Sequence, residues 1–458
     1  MDSASTSACR ESMKPSSSPS DRLLGRLSGA TDVDAELGDT SLLQAMLDVE
    51  AALARAGAEC GLLPAAAAEA IAGQCRAERY DLAALGRAAD AAGNPVVPLV
   101  RELTAAVSGS ARPWVHHGAT SQDVLDTALV LMAVRAAAPL LRHLDAAADA
   151  AAGLADTHRD TVQLARTLGQ QAAPTTFGLT AAGWLLGLVQ ARVRLEHICA
   201  TLPAQLGGAV GTLAALGPAG PAVVERFAAH LGLVDPPMPW HTRRQPLLDL
   251  AAALGGLVAA TGTIAVDVGL LAQTEVGEVA ESGAGRGGSS AMPHKRNPVD
   301  SVLVTAAARR APGLVATLFT AAVQEHQRAT GGWHAEWEPL LDLLHLAGGA
   351  AARTARMLTG LQVDAARMRA NVDGAGGLIL AEAVAARLAP ALGRGTAHDL
   401  VTRATAQPDF RAALLADPAV RAHLSEQDVD EALDARRWLG SADRFVGQAL
   451  ATHRGSTA

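Results

Sequence analysis

Apolar residues recur along most of this chain at steps of three and four, the spacing that lines up one face of an α-helix. From Asp39 and Thr40, such a face runs through Leu42, Met46, Val49 and Leu53 until Gly61 and Pro64 end it. A longer pattern opens after the polar run that starts at Pro113. Thr120 and Ser121 are natural N-caps there, and the interior Pro139 predicts a kink rather than a stop. Further long helices are predicted from Pro174 to near Leu202, from Pro246, after Pro298, and from Trp333 to Leu361. In the one from Pro246, Leu250, Leu254, Leu257, Thr261, Ile264, Val268 and Leu271 form a continuous seam.

Helices of about 30 residues span about 45 Å. Apolar on more than one face, they predict a bundle that other copies of the chain complete, hence a homo-oligomer. The pattern divides the chain into a Ser- and Pro-rich disordered tail (1–20), an N-terminal helical domain (21–111), a central long-helix domain (112–362) and a C-terminal domain of short helices (363–458).

Composition supports an all-α fold. Hydrophobic residues make up 49% of the chain but aromatic ones only 3%, so Ala, Leu and Val must build the core, and Ala and Leu are strong helix formers. A net charge of -8 argues against nucleic-acid binding. Cys9, Cys60, Cys75 and Cys199 have neither metal-ligand spacing nor disulfide density, so reduced thiols and no metal are expected. The N-terminus lacks the apolar run of an export signal, and charges interrupt the Ala-rich helices. A cytoplasmic chain without membrane spans is the expectation.

Against this apolar background, polar clusters sit where the long helices break. Gly283 to Pro298, GAGRGGSSAMPHKRNP, joins glycines, two serines and a basic cluster in one loop, and Pro298 opens the next helix. VHHGATSQD, from Val115, sets His116, His117, Thr120, Ser121 and Gln122 at a helix N-terminus, where free N–H groups favour a carboxylate. An N-cap with two surface histidines would read the same way. ARTLGQQAAP, from Ala165, holds Arg166, Thr167, Gln170 and Gln171; it suits either a carboxylate clamp or a hydrogen-bonded loop. PWHTRRQP, from Pro239, offers Arg243 and Arg244 as anion clamps or as a solvated turn. In QEHQRATGGWHAEWE, from Gln324, His326 and Arg328 precede a Gly-Gly break, while Trp333 and Trp337 fit helix packing. Cationic clusters on an acidic protein point to a small polycarboxylate substrate.

GSSAMPHKRNP resembles the signature loop of the fumarase/aspartase superfamily. VHHGATSQDVLDTAL, QLGGAVGTLAALG, PWHTRR, QTEVGEV and ARMRANVDGAGGLILAEAV resemble its branch acting on 3-carboxy-cis,cis-muconate. The resemblance runs from about residue 22 to the end. It implies three helical domains, a homotetramer built on the central bundle, active sites shared between subunits, and no cofactor. By position, Ser289 matches the serine that moves a proton alpha to a carboxylate. Lys295 and Asn297 match residues that hold carboxylate or developing negative charge. Thr120 and Ser121 match the anion-binding segment, His116 the histidine before it, and Arg328 a substrate-binding arginine. Gln122, Arg166, Thr167, Gln170, Arg244, Ser290 and Met292 complete the expected substrate-binding set.

Two positions depart from these patterns. Adenylosuccinate lyase-like members carry a catalytic histidine where this chain has Leu168, and the cycloisomerase pattern tends toward Asp-Arg at Gln245-Pro246. The implied reaction is the cyclisation of 3-carboxy-cis,cis-muconate to a lactone. The alternative is loss of an anionic leaving group from a substituted succinate, such as nitrite from nitrosuccinate. Adenylosuccinate lyase and a non-catalytic scaffold fit less well.

Overall fold

The structure, a computed structural model, describes residues 18–282, 287–288, 291–292 and 294–457. Its long elements follow the hydrophobic pattern: α1 (Asp39–Glu59), α2 (Ser121–Thr157), α3 (Phe177–Thr201), α4 (Gln245–Leu271), α5 (Val299–Ala321) and α6 (Gly332–Thr359). Among the described residues the fold is mainly helical, with two small antiparallel sheets. One pairs β1 (Val162–Thr167) with β2 (Gln170–Thr176), and the other pairs β3 (Val279–Glu281) with β4 (Leu361–Val363). Pro139 lies inside α2 without ending it.

The chain divides into two compact units. One holds Met1–Pro139, Cys199–Asp249 and Ala316–Gly348; the other holds Leu140–Ile198, Leu250–Val315 and Gly349–Ala458. The boundaries fall inside α2, α3, α4, α5 and α6. In the first unit α1 packs against the helices Ala65–Ala72 and Gly220–Leu231. Met46, Val49 and Leu53 are buried as predicted, whereas Leu42 stays half-buried and Leu43 takes its place. In the second unit all seven positions of the α4 seam, Leu250 to Leu271, are buried, each Leu contributing about 1.5–3 kcal/mol of transfer free energy. A separate core of Val384, Leu388, Leu400, Val401, Phe410 and Leu414 holds the C-terminal helices.

Three details correct the reading of the sequence. The disordered tail was expected to reach residue 20, but Pro19–Asp21 forms a turn of 3-10 helix, with Ser20 buried and bonded to the Asp34 carboxylate. The helix expected from Pro174 starts only at Phe177, because Pro174 pairs with Leu164 in the β1–β2 hairpin. Charges are also sparser in the long helices than expected: α2, α4 and α5 are each long and apolar enough to cross a membrane, with 78%, 50% and 22% of their most apolar stretch buried inside the protein. Cys60, Cys75 and Cys199 are free thiols.

Candidate active site

In the first unit the site is built around the amino end of α2. Ser121, Gln122 and Asp123 form its first turn, whose N–H groups have no partner within the helix. Asp123 is buried and its carboxylate collects four donors. Its Oδ1 accepts from Gly207 N (2.9 Å) and pairs with His241 Nε2 (2.6 Å), and its Oδ2 accepts from Gly208 N and Thr120 N (both 2.9 Å). An acid in this third helical position offsets the positive dipole end and closes the cap. Gly208 must be glycine: its φ is +71° and a Cβ would lie 2.9 Å from the Gly118 carbonyl oxygen.

Gln122, expected to touch substrate, is fully buried. Its Nε2 donates to the His241 carbonyl (2.8 Å) and to Asp126 Oδ2 (3.1 Å), while its Oε1 accepts from Arg328 Nη1 (3.0 Å). Arg328 also donates to the Ala209 carbonyl at 2.9 Å and remains half-buried. Gln122 therefore orients Arg328. Arg244 corrects the expectation more sharply. It is 1% exposed, its Nη1 and Nη2 hold Asp126 at 2.7 and 3.0 Å, and its Nε and Nη2 hold Glu336. Trp333 Nε1 donates to the same Asp126, and Trp240 lies under the guanidinium with its ring centre 4.8 Å away. Burial opposes the charge on Arg244, but Asp126 and Glu336 outweigh it and raise its pKa. A buried cation with two internal carboxylates binds the protein, not a ligand.

His116 stands just upstream of the cap with φ +58°, a conformation rare for a side-chain-bearing residue. Its Nδ1 lies 2.6 Å from Oε1 of the buried Glu50. Burial pulls the His116 pKa down; the charge and hydrogen bond of Glu50, with Asp123, prevail and raise it.

The second unit carries the other candidates. Leu168 (φ +52°) and Gly169 (φ +77°) form the two-residue turn of the β1–β2 hairpin, both in the left-handed region that such tight turns require. Thr167, Leu168 and Gln170 are exposed at its tip. Arg166, expected as a carboxylate clamp, is bonded internally: Nη2 and Nη1 donate to Glu278 Oε1 and Oε2 at 2.7 and 3.2 Å. Burial raises the pKa of Glu278, but Arg166, Asn371 and Gln163 together bring it below the ordinary carboxylate value.

The signature loop closes at its neck. Asn297 donates from its backbone N (2.8 Å) and from Nδ2 (3.1 Å) to the Gly287 carbonyl, and Gly288 pairs with Arg296. Gly287 has φ +71°, and a Cβ there would sit 2.3 Å from the Asn297 carbonyl oxygen. Met292 and Lys295 are exposed and Asn297 is half-buried. Ser289 and Ser290 lie outside the described residues. At the start of α5, Glu281 takes two backbone N–H groups, from Asp300 (3.0 Å) and Ser301 (2.8 Å). Asp300 in turn holds Arg356.

The residues that sequence reasoning missed are these acids: Glu50, Asp123, Asp126, Glu278, Glu281 and Glu336. Asp123 and Asp126 share one turn of the TSQDVLD segment. That spacing was a usable signal for Arg partners on the next element, although it does not say which Arg.

A family profile described as "Lyase" matches residues 17–313, and a second, "Adenylosuccinate lyase C-terminus", matches 377–449. A nitrosuccinate lyase from Streptomyces davaonensis is 47% identical over 445 residues, covering 93% of this chain and 94% of that one. A 3-carboxy-cis,cis-muconate cycloisomerase from Pseudomonas aeruginosa is also 47% identical, covering 95% and 97%. The crystal structure of the 3-carboxy-cis,cis-muconate lactonizing enzyme from Pseudomonas putida superimposes with a TM-score of 0.88 at 43% identity, over 95% of this chain and 100% of that one. Profile and relatives cover most of the chain between them, and it belongs to the lyase family of the fumarase/aspartase superfamily, as an enzyme of that type.

Proposed function

We propose that the protein is a cofactor-free cycloisomerase that converts 3-carboxy-cis,cis-muconate to carboxymuconolactone, with Ser289 as proton carrier. In the lactone-forming direction a substrate carboxylate oxygen bonds to one alkene carbon. The neighbouring carbon, alpha to another carboxylate, takes a proton from the Ser289 hydroxyl, and the serine alkoxide is reprotonated from solvent. The intermediate gains negative charge and needs cations and N–H donors already in position. Lys295, Asn297, the first turn of α2 with Thr120 and Ser121, His116 and Arg328 are the groups assigned to that task. Two Arg328 N–H groups are held by Gln122 and Ala209, and a guanidinium has five.

The observation that carries this reading is Leu168. It is wholly exposed at the hairpin tip, in the position where adenylosuccinate lyase-like members carry a catalytic histidine, and it has no proton to give. A reaction whose leaving group is already a stable anion needs none. In the reverse, lactone-opening direction the leaving group is the substrate's own carboxylate.

Nitrosuccinate elimination is the second reading. Nitrite also leaves without an acid, the relative from Streptomyces davaonensis is as similar as the cycloisomerase, and Gln245-Pro246 departs from the cycloisomerase pattern. On either reading the chain is a cytoplasmic homotetramer with three helical domains (21–111, 112–362 and 363–458) and sites shared between subunits.

An ultraviolet assay of the purified protein against 3-carboxymuconate and nitrosuccinate side by side separates the two. Turnover of the muconate, lost by roughly 10²- to 10⁴-fold in Ser289→Ala, is the expected result. Turnover of nitrosuccinate alone selects the second reading. Full activity in Ser289→Ala overturns the mechanism.

A further inference from the structure

Glu50 lies far upstream of every polar cluster in the sequence, inside the apolar pattern of α1, and is 1% exposed. A carboxylate so placed needs partners. It has one, His116 Nδ1 at 2.6 Å, while its Oε2 is buried without a hydrogen bond among the described residues. Leaving a carboxylate oxygen in that state is costly unless a positive charge stands against the group. No other cation is bonded to it among the described residues. Cys75, which also faces Glu50, stays neutral because burial first, then Glu50 and Asp48, push its thiol up to about 12.

His116 meets the requirement from its side. The charged groups that face its ring are Glu50, from α1, and Asp123, from the first turn of α2, and both are acidic. Its backbone is held in the left-handed region just before the α2 cap, so the ring's position is fixed by tertiary contacts rather than by local preference. With Nδ1 bonded to Glu50, the one remaining polar ring atom is Nε2.

We propose that Glu50 is a positioning residue for catalysis: it locks the His116 ring by Nδ1 and keeps it cationic, so that Nε2–H serves as a charged donor to a substrate carboxylate beside the amino end of α2. This rests on the assignment of His116 to the active site made above. It makes the affinity for the anionic substrate, more than the chemical step, depend on a carboxylate that never meets the substrate.

The test uses the full-length protein and the isosteric Glu50→Gln, with Glu50→Asp as the charge-retaining control. In Glu50→Gln, KM for whichever of the two carboxylate compounds the wild type turns over should rise roughly ten- to hundredfold near neutral pH. kcat should change less, and the pH at which KM climbs should move down. Glu50→Asp should recover part of the loss. Ring titration by nuclear magnetic resonance, with His116→Gln identifying the signal, reads the coupling without substrate: His116 should titrate above an ordinary histidine in the wild type and below that point in Glu50→Gln. An unchanged KM profile, or an unchanged His116 titration in a folded Glu50→Gln, overturns the proposal. If the wild type turns over neither compound, the functional reading fails by itself, and the ring titration still decides whether Glu50 sets the charge of His116.

Discussion

At the scale of single residues, the chemistry of a cation in the sequence says little until its partner is known. Arg166, Arg244 and Arg328 read alike as carboxylate binders, yet the fold gives Arg244 to Asp126 and Glu336, gives Arg166 to Glu278, and hands Arg328 to Gln122. Arg244→Met should therefore destabilise the protein by about 3–5 kcal/mol, since it strands two buried carboxylates. Chemical denaturation checks this. A raised KM with unchanged stability would instead restore Arg244 to the substrate-binding set. The start of α2 at Ser121 was legible because capping signals are local. Its acid, Asp123, was not singled out, because three of its four donors come from Gly207, Gly208 and His241, remote in sequence.

At the scale of elements, the two segments tied to function depart from the helical pattern in different ways. The β1–β2 hairpin interrupts it outright: Leu168 and Gly169 adopt positive φ to turn the strands, which apolar periodicity does not encode. The signature loop is closed by its neck, where Gly287 approaches Asn297 too closely for any side chain. Gly287→Ala should break the two hydrogen bonds from Asn297, at a local cost of about 1–2 kcal/mol for a left-handed alanine alone. Activity is expected to fall at least about tenfold, because a reacting group displaced by about 1 Å loses up to 10² in rate. Circular dichroism should show the helical fold intact. Wild-type turnover in this variant would detach the loop neck from catalysis.

At the scale of the whole molecule, α5 has an unfinished surface. Only 22% of its apolar stretch is buried, and it exposes Val302 (57%) and Phe319 (46%). α4 adds Val266 and Leu270. Exposed apolar area on that scale marks an interface, and the homotetramer proposed above would cover it. Sedimentation without detergent should give the mass of four chains, and Phe319→Asp should shift it to smaller species. A stable monomer for the wild type would refute the shared-site arrangement.

The sequence by itself determined most of the long helices and the enzyme family, but not the hairpin between α2 and α3. Periodicity, caps and prolines act through neighbours within one or two turns, and the signature loop is contiguous. The α4 seam, the start of α2 at Ser121 and the start of α5 after Pro298 were all readable for that reason. Only the tertiary structure decided which polar groups are bonded within the protein. A buried polar pair such as His116 with Glu50 or Arg244 with Glu336 depends on where distant segments meet, and its strength on burial, neither of which is written in local spacing.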